Sequence, residues 1–78
     1  MRLLTLQSSN LSNVGYDIEK EELVVVFQNG RSYLYRGVPS DVYLAIITDP
    51  ESHGKAFNVL VKKAGYEYEE VEVPEGHV

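Results

Sequence analysis

The sequence predicts a small α+β domain in which a mainly antiparallel sheet of three or four strands, ordered β-β-β-α-α-β along the chain, carries two helices on one face. Three observations indicate this fold. Residues 23–27 form a continuous, largely β-branched apolar run that is typical of a central strand. The Asn29–Gly30 pair that follows is the strongest short signal of a hairpin. Beyond it, apolar residues recur at helical spacing in two segments that Asp49–Pro50 separates.

Size and composition limit what the chain can do. Its 78 residues predict one domain spanning 1–78, with a small core from about residue 8 to residue 73. The absence of cysteine excludes disulfides, thiolate metal sites and cysteine nucleophiles, and it fits a reducing compartment such as the cytoplasm. A net charge of −5 repels phosphate backbones and anionic lipids. No segment approaches the roughly 20 apolar residues of a membrane span, so we expect no membrane partner.

Two segments before the central run have strand character. Residues 1–6 are largely apolar and are followed by polar residues from Gln7, so the run is too short for the roughly 7–15-residue core of a secretory signal. We therefore interpret this run as mature sequence, with a candidate additional strand at residues 2–7. Residues 14–18 alternate between apolar and other side chains, which is typical of a strand with one buried face.

The register of the central hairpin decides which residues share a face. A two-residue turn places Tyr33 and Tyr35 on the same face as Val24, whereas a turn in which Gly30 forms a bulge places them on the face of Val25. Both faces of the central run are apolar, so the pattern leaves both registers open. We favour the bulged turn.

Two helices follow the hairpin. Pro39 suits the first turn of the first helix, and segment 49–51 suits the end of that helix and the start of the second. The apolar face of the first helix comprises Val42, Tyr43, Ile46 and Ile47. The apolar face of the second comprises Phe57, Leu60, Val61 and Ala64. Lys62 and Lys63 favour the negative end of the helix dipole, and Gly65 is a natural stop.

The C-terminal part predicts one more strand. Tyr66–Glu69 alternates between tyrosine and glutamate, and Glu70–Val73 alternates out of phase, which indicates a bulge or the end of a strand. Repeated glutamates suit an edge strand that should not recruit another chain. We expect Pro74–Val78 to be a frayed tail.

Several short motifs occur in a fixed order along most of the chain. They are Ser8-Ser9-Asn10-Leu11, Val14-Gly15-Tyr16-Asp17, Leu23-x-Val25-x-Phe27-x-Asn29-Gly30, Tyr33-Leu34-Tyr35, Val38-Pro39-x-x-Val42-Tyr43 and Ser52-His53-Gly54-Lys55-Ala56-Phe57-Asn58. In this order they resemble the KTSC domain, a short module named for the C-terminus of some lysyl-tRNA synthetases that also occurs as a stand-alone bacterial protein. The resemblance runs from about Ser8 to Tyr66.

The resemblance implies a small binding module whose suggested ligand is RNA, through the association with the synthetase. It implies nothing about aminoacylation, because the chain contains no synthetase catalytic domain. This sequence departs from the family pattern at Ala56, where an aromatic residue is usual, and in its acidic end, Glu67–Glu75. The acidic end disfavours RNA as a ligand of this chain. We expect a non-enzymatic protein without a cofactor.

A nucleic-acid site is the first functional hypothesis. Tyr33 and Tyr35 share one face of a strand, and exposed aromatic rings on a sheet can stack nucleic-acid bases. The hypothetical RNA-binding set comprises Tyr33, Tyr35, Arg36, Lys55, Lys62 and Lys63. The alternative is that the tyrosines pack against the helices while the cations form an ordinary solvated surface.

A protein interface is the second hypothesis. Under the bulged register, Val24, Val26 and Leu34 occupy the sheet face opposite the tyrosines, and helices on one side only would leave that face exposed. Exposed contiguous apolar patches usually mark an interface, here with a protein partner or with a second copy in a homodimer. The alternative is that residues 2–7 fold back over this face.

Neither a catalytic centre nor a metal site is predicted. Ser52 and His53 are neighbours in sequence, so on a helix they point about 100° apart and do not face each other. Asn58 completes no triad by its spacing. His53 and His77 are the only histidines, and their separation matches no metal-ligand spacing.

Overall fold

The computed structural model describes residues 3–6, 10–48 and 57–72, and these contain five strands and two helical segments. The elements in chain order are β1 (Leu3–Thr5), β2 (Leu11–Asp17), β3 (Glu22–Phe27), β4 (Ser32–Arg36), α1 (Ser40–Thr48), the short π-helix α2 (Asn58–Lys62) and β5 (Tyr68–Val71). The predicted start of the second helix at residues 49–51 and the predicted tail lie outside the described residues.

The five strands form one antiparallel sheet in the order β1-β2-β3-β4-β5. The α+β class is therefore confirmed, but the expected count of three or four strands is too low. The difference is β1, which pairs with β2 through Leu3 opposite Gly15 and Thr5 opposite Asn13. This strand lies within residues 2–7, the segment interpreted above as a candidate additional strand and not included in the expected count.

The β3–β4 hairpin adopts the bulged register. Leu23 lies opposite Tyr35 and Val25 lies opposite Tyr33. The turn is closed by the Gly30 amide, which donates to the Phe27 carbonyl at 3.0 Å, and Gly30 has a φ of +89°. This backbone geometry is that of a type I turn followed by a left-handed residue, and glycine adopts it without the steric cost that other residues meet.

The main core lies between one face of the sheet and the helical segments. It contains Leu6, Leu11, Val14, Leu23, Val25, Tyr35, Val38, Ile46, Phe57 and Val61. Sheet and helix residues bury their apolar side chains against one another here, which confirms the prediction that the helices lie on one face. The apolar residues of the opposite face form a separate, smaller cluster that includes none of the described helical residues.

A pair of tyrosines fastens α1 to the sheet. The ring of Tyr16 in β2 stacks on that of Tyr43 in α1, with centroids 5.0 Å apart and planes inclined by 12°. The Tyr16 hydroxyl also donates a 2.6 Å hydrogen bond to the Val38 carbonyl, just before the helix. The Val38 amide in turn donates to the Glu21 carbonyl at 2.9 Å. The β4–α1 connection is thus held at two points along the β2–β3 hairpin.

The second helical segment differs from the expected regular helix. The Lys63 amide donates to the Asn58 carbonyl five residues earlier, the π-helical pattern, and Gly65 then turns the chain with a φ of +81°. Phe57 and Val61 are buried as predicted, but Ala64 is exposed. The prediction for Ala64 is wrong because the helix ends at Lys62, and Ala64 belongs to the turn that follows.

Burial changes the ionisation of three tyrosines. Loss of solvation is the first cause that raises the pKa of Tyr16, and the carboxylates of Glu21, Asp41 and Asp17 raise it further. Burial also raises the pKa of Tyr43. It raises the pKa of Tyr35 too, with smaller contributions from Tyr68 and Tyr33. Each phenol is therefore harder to ionise in the folded chain than in the unfolded one.

Replacing Gly30 with alanine is expected to destabilise the protein by about 1–2 kcal/mol, because an L side chain in the left-handed region costs that much. The described residues leave open space around the position of the added Cβ, so the cost comes from the backbone and not from a clash. Equilibrium urea unfolding measures it. Glu21→Gly is the control, because Glu21 is a non-glycine residue with a φ of +53°. This change places glycine at a left-handed position and should not destabilise the protein. Equal stability of Gly30→Ala and wild type would contradict the bulged turn.

Stability is expected to fall as the pH rises above about 10, the ordinary tyrosine pKa. The unfolded chain then releases phenolic protons that the folded chain still holds at Tyr16, Tyr35 and Tyr43, and this difference favours unfolding. Below that pH both states keep these protons, so the three groups give no pH dependence. Urea unfolding at a series of alkaline pH values, together with tyrosinate absorbance, measures the effect. If all six tyrosines of the native protein titrate together at the ordinary value, the account is wrong.

Candidate binding cleft

A cleft lined by aromatic rings lies between the β3–β5 side of the sheet and α2. Its volume is about 580 Å³, within the range of pockets that hold small ligands or inserted side chains. Its lining residues are Phe27, Tyr33, Tyr35, Val61, Lys62, Gly65, Tyr66 and Tyr68. We call this feature the aromatic cleft. Five of its eight lining residues carry aromatic rings, so most of its wall is apolar while tyrosine hydroxyls provide polar groups.

The rings of the aromatic cleft support one another. Tyr68 meets Tyr33 edge-to-face with centroids 6.0 Å apart, and it lies 5.3 Å from the ring of Tyr35 with the planes tilted by 32°. Phe27 in turn contacts Tyr33 edge-to-face at 5.7 Å and Phe57 at 5.6 Å. Such offset and edge-to-face contacts are the favoured geometries for aromatic pairs. The wall of the cleft is therefore an ordered array of rings that continues into the core.

The strand register brings these rings together. Tyr33 and Tyr35 are two residues apart in β4, so both point to the helix-facing side of the sheet. Tyr35 lies opposite Tyr68 of β5, and Tyr33 lies opposite Glu70. Tyr68 and Glu70 therefore share the face of the two β4 tyrosines. The turn at Gly65 ends α2 and leads the chain back to the sheet edge, which places Tyr66 and Tyr68 beside the cleft.

Exposure divides the rings into a base and a rim. Tyr35 is only 4% exposed and forms part of the core. Tyr33 is half-buried, whereas Tyr68 is 61% exposed. An incoming group would therefore meet Tyr68 first, with Tyr33 behind it.

Charges of opposite sign flank the aromatic cleft. Lys62 and Lys63 are exposed at the end of α2, and Lys62 lines the cleft itself. Glu70 and Glu72 are exposed at the end of β5, and the alternation of that strand places Glu70 on the helix-facing side with Tyr68. The cleft therefore has a basic side at α2 and an acidic side at β5.

The structure separates the residues of the hypothetical RNA-binding set. Tyr33, Tyr35 and Lys62 line the aromatic cleft and Lys63 lies next to Lys62, but Tyr35 is buried and offers no stacking surface. Lys55 lies outside the described residues.

Arg36 does not join the cleft. It follows Tyr35 in the strand, so it points to the opposite face of the sheet. There its guanidinium donates a 2.6 Å hydrogen bond to Glu69, and its Nε lies 4.0 Å from Glu22. The hydrogen bond and charge of Glu69 are the main causes that raise the pKa of Arg36.

The hypothetical apolar interface is not an exposed surface. Val24 and Val26 do lie on the sheet face opposite the tyrosines, as predicted, but they are only 1% and 7% exposed. They cluster with Leu3 of β1, and half-buried Leu34 packs against the group. The expectation of a valine face open to solvent is therefore corrected. Leu3 lies opposite Gly15, which itself lies opposite Val24, so Leu3 contributes to the burial of these valines.

The sequence alone did not assign Phe27, Tyr66 or Tyr68 to a site. The available signal was the spacing of Tyr66 and Tyr68, which equals that of Tyr33 and Tyr35. We interpreted that segment only as an acidic edge strand. The contact between the two tyrosine pairs depends on the β4–β5 register, and a long stretch of chain separates these strands.

The described residues contain neither a candidate metal site nor a membrane-spanning helix. No group of three or more histidine or acidic side chains there is arranged to hold a metal ion. None of the described helices is long and apolar enough to cross a membrane. Ser52, His53 and His77 lie outside the described residues, and Asn58 is exposed at the start of α2.

Comparison with known proteins agrees with the architecture. The KTSC domain family matches residues 7–68. An uncharacterised protein of Stutzerimonas stutzeri (strain A1501) is 40% identical over 68 residues, which cover 87% of this chain and 94% of that protein. The crystal structure of a KTSC domain protein from Yersinia pestis has the same fold, with a TM-score of 0.78, 24% identity, and coverage of 88% of this chain and 94% of that one. Since the family match covers most of the chain, this protein belongs to the KTSC domain family.

Proposed function

We propose that this domain is a non-enzymatic protein-interaction module whose aromatic cleft receives an apolar or aromatic side chain of a partner protein. One observation carries the proposal: five aromatic rings line an open cleft of about 580 Å³ at the edge of the sheet. Tyrosine is enriched where proteins bind one another, because its ring supplies apolar area and its hydroxyl remains satisfied at the wet rim.

The exposure of Tyr68 supports this assignment. Large aromatic side chains usually bury most of their surface, yet Tyr68 leaves 61% exposed at the rim of the aromatic cleft. Its contacts with Tyr33 and Tyr35 hold the ring in place without covering its outer surface. A ring fixed before binding loses little conformational entropy on binding, which favours affinity.

The lining residues do not favour catalysis. The polar groups that they contribute are phenols and one exposed lysine, Lys62. Nucleophilic catalysis requires a nucleophile, a base within hydrogen-bond reach and a group that orients the base. The described lining residues include neither a histidine nor a carboxylate that could serve as that base.

A chain without cysteine also needs no oxidising environment, which supports a cytoplasmic place of action.

Single-stranded RNA is the second candidate ligand, and one observation favours it. Lys62 lines the same cleft as the exposed Tyr68, so a base could stack on the ring while a phosphate meets Lys62 and Lys63. Three findings make it the weaker candidate: Tyr35 is buried, Arg36 is held by Glu69 on the other face, and the net charge is −5. Glutamates along β5 add repulsion beside the cleft.

Peptides selected from a displayed random library are expected to bind at the aromatic cleft. Amide NMR titration should then show shifts at Tyr33, Tyr66 and Tyr68. The Tyr68→Ala variant should weaken binding by about tenfold or more, because central aromatic residues carry a large share of interface energy. Ile18→Ala is the matched control, since it removes an exposed apolar side chain from the β2–β3 turn, and it should bind as wild type does.

The same titration with a mixed pool of single-stranded RNA distinguishes the two candidates. Protein binding predicts no shifts with RNA at physiological salt. Shifts confined to the aromatic cleft and Lys62–Lys63, and reversed by salt, would instead establish the RNA candidate, since phosphate contacts weaken steeply with ionic strength. Binding of neither peptides nor RNA by the wild-type protein would overturn both proposals.

A further inference from the structure

We infer that the partner is an extended basic segment that adds to the sheet as a new strand along the outer edge of β5. This inference rests on the proposed function, because it specifies how a protein partner reaches the aromatic cleft. Strand addition supplies affinity through backbone hydrogen bonds, while alternate side chains provide specificity. Three features of β5 support it: its position, its charge and its side-chain orientation.

The position of β5 leaves backbone groups for a partner. Among the described strands, β5 pairs only with β4 and ends the sheet. The Arg36 amide donates to the Glu67 carbonyl at 2.9 Å, which identifies these two residues as a hydrogen-bonded pair. Because hydrogen-bonded and non-hydrogen-bonded pairs alternate in an antiparallel ladder, the Tyr35–Tyr68 and Tyr33–Glu70 pairs are of the second kind. Tyr68 and Glu70 therefore direct their amides and carbonyls outward from the described sheet.

The charge of this edge selects a basic segment. Glu67, Glu69, Glu70 and Glu72 occupy four of the six positions from 67 to 72. Glu69 already forms an ion pair with Arg36, but neither Glu70 nor Glu72 pairs with a cation among the described residues. A second copy of this edge would place glutamates against glutamates, and like charges on facing strands repel. Lysine or arginine in the added strand would instead meet an opposite charge.

The orientation of β5 connects the edge with the aromatic cleft. Tyr68 and Glu70 both point to the helix-facing side, so residues opposite them on an added strand point to the same side. The partner residue opposite Tyr68 would reach the cleft, while a basic residue opposite Glu70 would pair with its carboxylate. The recognised segment therefore has an apolar or aromatic residue and a basic residue two positions apart. Lys62 also lines the cleft, but it belongs to α2 and not to the edge strand.

The test uses two synthetic peptides on the whole chain. In one peptide, lysine and threonine alternate, and a single phenylalanine takes one of the lysine positions. In the other peptide, glutamate replaces every lysine. The basic peptide should bind, and the amides of Tyr68 and Glu70 should then exchange with solvent more slowly because the added strand bonds them. The acidic peptide should bind about tenfold more weakly or not at all. Equal binding of the two peptides would overturn the selection for a basic segment.

Glu70→Pro tests the backbone contact. Proline removes the outward amide of residue 70 but none of the hydrogen bonds between β4 and β5, and proline is tolerated on edge strands where the amide faces solvent. We expect it to weaken the basic peptide by about tenfold or more. Glu70→Lys is the second variant, which keeps the amide and reverses the charge. It should reduce binding of the basic peptide and improve binding of the acidic one, so the inference remains testable if the proline variant fails to fold.

The outcomes separate this inference from the proposed function. If the folded Glu70→Pro variant binds the basic peptide as tightly as wild type, while Tyr68→Ala does not, strand addition is wrong and the aromatic cleft stands. If library-selected peptides bind the wild type but the basic peptide does not, the basic character of the partner is wrong. If no peptide of any kind binds, both the strand-addition inference and the protein-interaction function are wrong.

Discussion

The turn at Gly30 is the constraint on which the rest of the site depends. The positive φ of Gly30 lets the turn include one more residue than a two-residue hairpin loop does. The resulting register places Tyr33 and Tyr35 on the face of Val25 and Leu23. A slip of one residue would turn both tyrosines away from the helices and present Leu34 to the main core. One backbone angle in an exposed turn therefore determines which side chains are available to form the cleft.

This register also explains why aromatic and basic residues that are adjacent in sequence do not act together. Arg36 follows Tyr35 directly, but successive side chains of a strand point to opposite faces. The aromatic cleft collects rings on one face, and the Arg36–Glu69 ion pair forms on the other. Grouping cations and aromatics by sequence proximity overlooks this alternation, which separates them by the thickness of the sheet.

The elements with local signals could be predicted, and those that depend on distant pairing could not. The apolar run at 23–27, the turn after it and the face of α1 each show their structure within a few neighbouring residues. The strand β1 lies within the segment 2–7, which the sequence marks only as a candidate additional strand because three residues carry little periodicity. The exposure of Ala64 could not be predicted, because the end of α2 departs from regular helical spacing. The role of Tyr68 in the cleft could not be predicted for a different reason. Its position beside Tyr35 follows from the β4–β5 register, which no local sequence pattern indicates.

The order of the sheet has a kinetic consequence. The β1–β2, β2–β3 and β3–β4 pairings join strands that are consecutive and close along the chain, whereas residues 37–67 separate β4 from β5. Closing a longer loop costs more chain entropy, and contacts between distant segments form more slowly. We expect the first four strands to assemble before β5 joins them. The aromatic cleft lies along the boundary between these two stages, so a nascent or truncated chain that lacks β5 contains most of the core but no complete binding site.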